Sequence, residues 1–341
     1  MKYPETDQIA TILGSATTVV IMQADNPDGD SLASSLALEQ ILHDMGKEPV
    51  LYCGVDVPSY LRYLPGWDRV ENEVPRQFDV SIIVDMSADG LFDTLERSGT
   101  KSLIASKPCI VLDHHQSGQQ ISFATVSCDH PAVATGEIIY ELADQLSWPL
   151  NDTAKEMIAV SIMSDSLGLV SEGTTPRSIH IIAELVEDGV VLARLEHDRR
   201  AMMRKSPELL SYKGQLLQRL EYHDDNRIVS VTIPWDEIQQ YSPHYNPSML
   251  VIDDMRMTEG AAIAIAFKLY KNDKVTAKIR CNYGFGIGAK LAQHFGGGGH
   301  PYASGFKVED GRPFNEVKSE CLKLACELLN QQKQEQTDET S

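Results

Sequence analysis

The chain has 341 residues, 42% of them hydrophobic, and a formal net charge of −19. That length holds two ordinary domains or one large one, with enough apolar side chains for real cores. The acidity argues against a protein that wraps long duplex nucleic acid, which needs a basic stripe, but a small phosphorylated substrate needs only a few local cations. Residues 17–23 (TTVVIMQ) read as a buried strand. Leu38, Ile41, Leu42 and Met45 then recur at helical spacing, with Gly46 where a helix C-terminal residue is wanted. Residues 49–53, 80–84 (VSIIV) and 109–112 (CIVL) are three more strands. Strands alternating with helices imply a mostly parallel sheet covered on both faces.

Helices are expected over 131–146 and 151–163, and a charged helical stretch over about 178–220 contains the connection between domains. After Asp224-Asp225-Asn226 the pattern changes to strands at 228–233, 262–270 and 274–280, with a turn at 271–273. A short helix at 288–295, a strand at 306–308 and a closing helix at 314–329 follow. The expected organisation is α/β. A mostly parallel-sheet N-terminal domain (1–185) leads through a helical linker (186–224) to a smaller C-terminal α/β domain (225–330), and the polar tail 331–341 reads as disordered.

The six cysteines, Cys53, Cys109, Cys128, Cys281, Cys321 and Cys326, form no CxxC pair and mostly lie in apolar runs. They read as core thiols of a reducing compartment, without structural zinc. The N-terminus carries no signal-peptide apolar region, and the most apolar run, 261–267, is far too short for a bilayer. The expectation is a soluble cytoplasmic protein with no membrane association.

Four acidic or histidine clusters each stand at the end of a strand or helix: Asp28-Gly29-Asp30, Asp85, Asp113-His114-His115 and Asp165. In an open α/β sheet ligands bind beyond the carboxyl ends of the strands, so these groups should converge on one edge. Carboxylates packed together need a compensating charge, and divalent metal supplies it. Asp28, Asp30, Asp85, His114 and Asp165 suffice for two ions if one carboxylate bridges. Such ions, roughly 3.5–4 Å apart, activate water and neutralise a phosphoryl oxygen. Oxygen-rich sites with an imidazole suit manganese better than zinc, with magnesium or cobalt as alternatives. Each cluster alone has an ordinary explanation: a turn, a helix cap or a surface histidine pair. Their occurrence together and in order favours the functional reading. Near the C-terminus, Gly296-Gly297-Gly298-Gly299-His300 could offer backbone N–H groups to an anion. His300 could donate to a phosphate, and Arg280 could hold one bidentately.

Together these motifs resemble the DHH/DHHA1 phosphoesterases, specifically the short two-domain members related to oligoribonucleases (nanoRNases) and 3′-phosphoadenosine-5′-phosphate phosphatases. The resemblance covers about residues 15–325. Asn26-Pro27-Asp28-Gly29-Asp30 matches the first motif, Asp85 the second, Asp113-His114-His115 the third, Ser164-Asp165-Ser166 the fourth, and Gly296 to His300 the GGGGH signature. It implies two-metal hydrolysis, with Asp28 serving one ion, Asp30, His114 and Asp165 the other, and Asp85 bridging. His115 would sit near the scissile phosphate and Asp113 would orient the histidines as catalytic-site residues. Arg280, Gly297, Gly298, Gly299 and His300 would hold the terminal nucleotide across an interdomain cleft. The family's first motif usually begins with histidine where this chain has Ala24, so one imidazole ligand is missing, and Asp25 beside it should point to the other face. The implied substrate is a short oligonucleotide or a nucleoside 3′,5′-bisphosphate, and a homodimer is a candidate assembly. The competing reading is a non-hydrolytic nucleotide-binding protein with a degenerate metal site.

Overall fold

The computed structural model describes residues 3–86, 93–115, 120–271 and 273–339, with side chains through residue 334. The chain divides into two compact units, Met1–Arg204 and Lys205–Ser341.

The first unit contains helix α1 (Thr6–Gly14), strand β1 (Thr18–Met22), α2 (Gly29–Asp44), β2 (Glu48–Tyr52), β3 (Val80–Val84), α3 (Asp93–Ser98), α4 (Lys101–Ala105), β4 (Cys109–Asp113) and β5 (Val126–Asp129). Helices α5 (Thr135–Leu146), α6 (Asp152–Asp165), α7 (Pro176–Glu187) and α8 (Leu192–Met202) complete it. All five strands run parallel in the order β2-β1-β3-β4-β5. The β-branched strand sequences are buried on both faces, as parallel sheets require. Val19, Ile21, Ile82, Val84, Ile110 and Leu112 pack toward α2, α5 and α6. The alternate residues Val20, Met22, Ile83, Cys109 and Val111 pack with Leu95 of α3 and Ile104 of α4. Strand order reverses direction at β1, whose neighbours are β2 on one side and β3 on the other. The crevice at such a reversal lies beyond the carboxyl ends of the strands, where the residues after β1 and β3 meet.

The second unit begins with α9 (Pro207–Gln218) and continues through β6 (Glu221–His223), β7 (Ile228–Ile233), α10 (Trp235–Tyr241), α11 (Pro247–Arg256), β8 (Ile263–Leu269) and β9 (Val275–Cys281). It closes with α12 (Gly288–His294), β10 (Gly298–Gly299), β11 (Ala303–Val308) and α13 (Phe314–Glu339). Its sheet is mixed, in the order β10-β11-β9-β8-β7-β6, with only β7 and β8 parallel among the described pairs. One face packs on α9, α10 and α11 and the other on α12 and α13.

Three differences from the sequence reading have physical reasons. The stretch expected as a linker is divided between the units at residues 204 and 205: α8 packs on α6, and α9 packs on α11. The tail expected to be disordered is helical through Glu339. Val317, Cys321, Ala325 and Leu329 anchor one stripe of α13 in the core. The Gln- and Glu-rich residues beyond contain no Gly or Pro to stop the helix. Short elements with weak periodicity, α1, β5, α10 and α11, escaped sequence reading. The expected turn at 271–273 joins β8 to β9, with Tyr270 N–H donating to the Lys274 carbonyl at 2.8 Å, but its Asn272 lies outside the described residues.

Candidate metal centre and anion-binding face

His114 is the hub of the first unit's acidic groups. Its Nδ1 lies 3.2 Å from the Ala132 carbonyl, which only an N–H can satisfy, so Nε2 is the ring atom that could serve as a ligand. That Nε2 is buried without a hydrogen-bond partner among the described residues. Around it stand Asp165 Oδ2 at 3.3 Å, Asp85 Oδ1 at 3.4 Å and Asp30 Oδ2 at 3.6 Å. These separations are long for hydrogen bonds but suit ligands gathered around one small cation, whose own bonds are about 2.1 Å. The donor set, one imidazole and three carboxylates, therefore fits a divalent ion.

Each carboxylate has its own support. Asp30, in the first turn of α2, is fully buried. Its Oδ1 accepts from Ser161 Oγ at 2.5 Å and Ser34 Oγ at 2.9 Å, and its Oδ2 from the Thr135 amide at 2.8 Å. Asp85 follows β3 with φ of +57°, a left-handed conformation that Asp tolerates better than most residues. Its amide donates to the Leu112 carbonyl at 2.9 Å, tying the end of β3 to β4. Asp165 ends α6, and Leu167, Gly168 and Leu169 behind it all have positive φ. A cavity of about 420 Å³ lies between α6 and α8, with Ser164, the neighbour of Asp165, in its wall.

Burial disfavours the charged forms of Asp30 and Asp85 and raises both pKa values, with the Asp165 charge adding to the first and the Asp30 charge to the second. For His114 burial acts against the charge, but the nearby Asp165, Asp85 and Asp30 carboxylates outweigh it and lift the imidazole to about 11. Without metal, the cluster balances its charge with protons. His115 is half exposed beside it, 3.6 Å from Asp85 Oδ1. Its Nδ1 is 2.8 Å from Asp113 Oδ1, and that hydrogen bond, against the cost of burial, raises its pKa. Asp113 is fully buried, and its Oδ2 has no hydrogen-bond partner among the described residues.

Asp28 is placed differently. It caps α2, its Oδ1 accepting from the Ser31 amide at 3.0 Å while Ser31 Oγ accepts from the Asp28 amide. Ala24 is buried in the apolar cluster with Val20, Met22 and Tyr52. Asp25 Oδ2 accepts from the Thr94 amide at 2.8 Å, so that oxygen is committed to the start of α3. The groups converging on His114 are thus Asp30, Asp85 and Asp165, with His115 alongside. A separate grouping, Glu5, Cys128 and His130, was not anticipated. Glu5 Oε2 and His130 Nε2 are 2.9 Å apart, and no motif in the sequence links residues so distant.

In the second unit, Arg280 belongs to a cationic strip. Along β9, Val275, Ala277, Ile279 and Cys281 are buried, while Thr276, Lys278 and Arg280 occupy the opposite face. Lys278 pairs across to Ala266 and Gly305, and Arg280 to Ala264 and Ala303, so small residues flank both long side chains. Burial lowers the pKa of each, helped for Lys278 by Arg280 and for Arg280 by Arg256, with Asp253 opposing in both. Lys268 of β8 is lowered in the same way, by burial and by Lys278. Half-buried cations that repel one another suit an anionic ligand. Lys278 and Lys268 were missed in the sequence, although strand alternation with Arg280 carries the signal for Lys278.

Part of the glycine run, expected to offer its backbone N–H groups to an anion, is a strand. Gly298 and Gly299 form β10, paired with Gly305 and Ser304 of β11. A Cβ on Gly297 would lie 2.3 Å from the Gly305 carbonyl oxygen, and one on Gly299 2.6 Å from that of Ala303. Close strand approach therefore explains two of the four glycines. His300 is exposed at the turn, its amide donating to the Ala303 carbonyl at 2.8 Å.

Residues 18–174 match the DHH family, N-terminal domain. The first unit carries a DHH domain, and the chain is a phosphoesterase hydrolase. Among curated relatives, the bifunctional oligoribonuclease and PAP phosphatase NrnA of Thermus thermophilus is 27% identical over 281 residues, 82% of this chain and 81% of that one. The NrnA protein of Bacillus subtilis is 24% identical over 295 residues, 85% and 89% of the two chains. An exopolyphosphatase-related protein from Bacteroides fragilis shares the fold with a TM-score of 0.82 at 20% identity, covering 96% of this chain and 97% of that one. All six cysteines are free, five of them buried. Among the described residues, no helix is long and apolar enough to cross a membrane.

Proposed function

We propose that this protein hydrolyses phosphoesters of short oligonucleotides, nucleoside 3′,5′-bisphosphates, or both, using two divalent ions, with manganese preferred, in the cytoplasm. The observation that carries the reading is the unpartnered His114 Nε2 with three carboxylate oxygens 3.3–3.6 Å away. Asp30, Asp85, His114 and Asp165 would hold one ion, and Asp28 with a shared Asp85 the other. Bound there, divalent ions supply Lewis acidity toward a phosphoryl oxygen and lower the pKa of water. The preference for manganese rests on the oxygen-rich donor set with one imidazole.

His115, half exposed and held by Asp113, is positioned to donate a hydrogen bond to a phosphate at the cluster. Asp113 keeps the imidazole in one orientation and favours its protonated form. Lys278, Arg280 and His300 would bind a second phosphate of the substrate. A net charge of −19 leaves no long basic track, so affinity must come from a few contacts at one end of a short ligand. The names of the NrnA relatives support this substrate class. The test is release of mononucleotides from a dinucleotide, and of phosphate from a 3′,5′-bisphosphate, after chelation and re-addition of Mn²⁺, Mg²⁺ or Co²⁺. Metal-stimulated turnover of either is expected. Tight nucleotide binding without turnover under any metal would return the chain to the binding-protein reading.

A further inference from the structure

Glu5, Cys128 and His130 each offer one ligand atom, and these three atoms all lie within 4.8 Å of one another. Folding alone joins them, because Glu5 precedes α1 whereas Cys128 lies in β5 and His130 just beyond it. His130 is fixed by two contacts. Its amide donates to the Asp113 carbonyl at 3.3 Å, and the Tyr3 ring stacks on its imidazole with centroids 4.6 Å apart and 24° between the planes. Tyr3 is held in turn through its amide, which donates to Gln145 Oε1 at 3.0 Å. Glu5 stands at the N-cap position of α1, yet its carboxylate makes no capping hydrogen bond, and its Oε2 lies 2.9 Å from His130 Nε2. Cys128 is fully buried, while the side chains of Glu5 and His130 are 22% and 25% exposed. The group therefore has a buried sulfur and a side open to solvent.

An ion pair accounts for Glu5 and His130 alone. The thiol close to both makes the three a mixed sulfur, nitrogen and oxygen donor set, which is the chemistry of zinc and not of manganese or magnesium. We propose that Glu5, Cys128 and His130 form a zinc site separate from the carboxylate cluster around His114, with water as the fourth ligand. Zinc bonds of 2.0–2.3 Å in tetrahedral geometry set the ligand atoms roughly 3.3–3.7 Å apart. Small rotations of the two partly exposed side chains bring the group to that spacing. Burial, with the Glu5 and Asp129 charges adding to it, pushes the Cys128 thiol up to about 12, so zinc displaces a proton when it binds. The bound ion would tie the chain before α1 to the end of β5.

The site is independent of the hydrolase reading and is tested with metal alone. Co²⁺ substitutes for zinc, and when bound by a thiolate it absorbs in the near ultraviolet through charge transfer from sulfur. Oxygen and nitrogen ligands give no such band, and the cluster around His114 contains no sulfur. Among the described residues no other cysteine joins a group able to hold a metal. The metal-free full chain titrated with Co²⁺ should develop the band, and Zn²⁺ should bleach it. Cys128→Ser should abolish it. Glu5→Gln and His130→Gln should each weaken the Co²⁺ affinity read from the band by at least about tenfold, and they carry the test if Cys128→Ser does not fold. Asp165→Ala should leave the band and its affinity unchanged. No band in the unaltered chain, undiminished affinity in both the Glu5→Gln and His130→Gln proteins, or loss of the band in Asp165→Ala would each overturn the site.

Discussion

The acidic cluster of the first unit and the cationic strip of the second differ in how much protein holds each charge. Asp30 is gripped by two hydroxyls and an amide, His114 by a carbonyl, and His115 by Asp113. Arg280 makes one hydrogen bond to its own neighbour's carbonyl, and Lys278 is flanked by Ala266 and Gly305. A reacting centre has to hold its groups within tenths of an ångström before the substrate arrives, which takes buried donors on several elements. A recognition surface can let long side chains adjust to the ligand, and small neighbours leave room for that. The comparison implies that changes in the first unit should act on turnover and changes in the second on affinity.

The largest effect is expected from the cluster itself. Asp165→Ala, or Asp85→Asn, which keeps a residue tolerant of positive φ, should lower kcat by more than about 100-fold, beyond the loss typical of an outer partner. Circular dichroism of the metal-free variants should match the parent. Near-full turnover in either variant would break the division between the units. Asp113→Asn should cost between about 10- and 100-fold in kcat, since it acts through the histidine beside it. In the same variant the His115 imidazole should titrate at lower pH by NMR, and an unmoved titration would refute the orienting role.

Metal binding should depend on pH in a definite direction. His114 is lifted to about 11 in the metal-free cluster, so at neutral pH it carries a proton that ligation must expel. Affinity should therefore rise with pH below that value, by up to about tenfold per unit for each proton released. Calorimetry with Mn²⁺ in buffers of different ionisation enthalpy measures both the affinity and the proton count, and a pH-independent constant would contradict the protonated cluster.

In the second unit, Arg280→Ala and Lys278→Ala should each raise KM roughly tenfold, the worth of one charged hydrogen bond, with kcat little changed. The loss should be confined to substrates bearing a phosphate away from the scissile one. A comparison of a phosphorylated dinucleotide with its unphosphorylated counterpart decides this. Equal losses on both, or a fall in kcat as large as the rise in KM, would erase the contrast between the units.

Much of the first unit was legible because its information is local. Apolar β-branched runs such as VSIIV at residues 80–84 and CIVL at 109–112 have no comfortable place except a buried strand, and each is followed directly by an acidic group. Parallel pairing then brings those strand ends to one edge whatever the loops do, so Asp85 and His114 could be grouped before any coordinates; Asp30 and Asp165 join them from the helices α2 and α6. What pattern could not supply was the use made of each side chain. Asp28 and Asp30 are two residues apart, yet one is engaged as a helix cap and the other lies against His114. Asp25 turns to an amide on α3, a helix that lies 69 residues further along.

Unit two was less legible. Its glycine run reads as a nest for an anion, but Gly298 and Gly299 pair with β11, and Cβ atoms on Gly297 and Gly299 would collide with that strand. Lys278 and Arg280 share a face through simple alternation, which sequence does express. The sequence alone determined the classes of element and the set of charged residues at the strand ends, because those depend on neighbours along the chain. Tertiary structure decided tautomers, partners and which faces meet, because those depend on hydrogen bonds and packing between segments far apart in it.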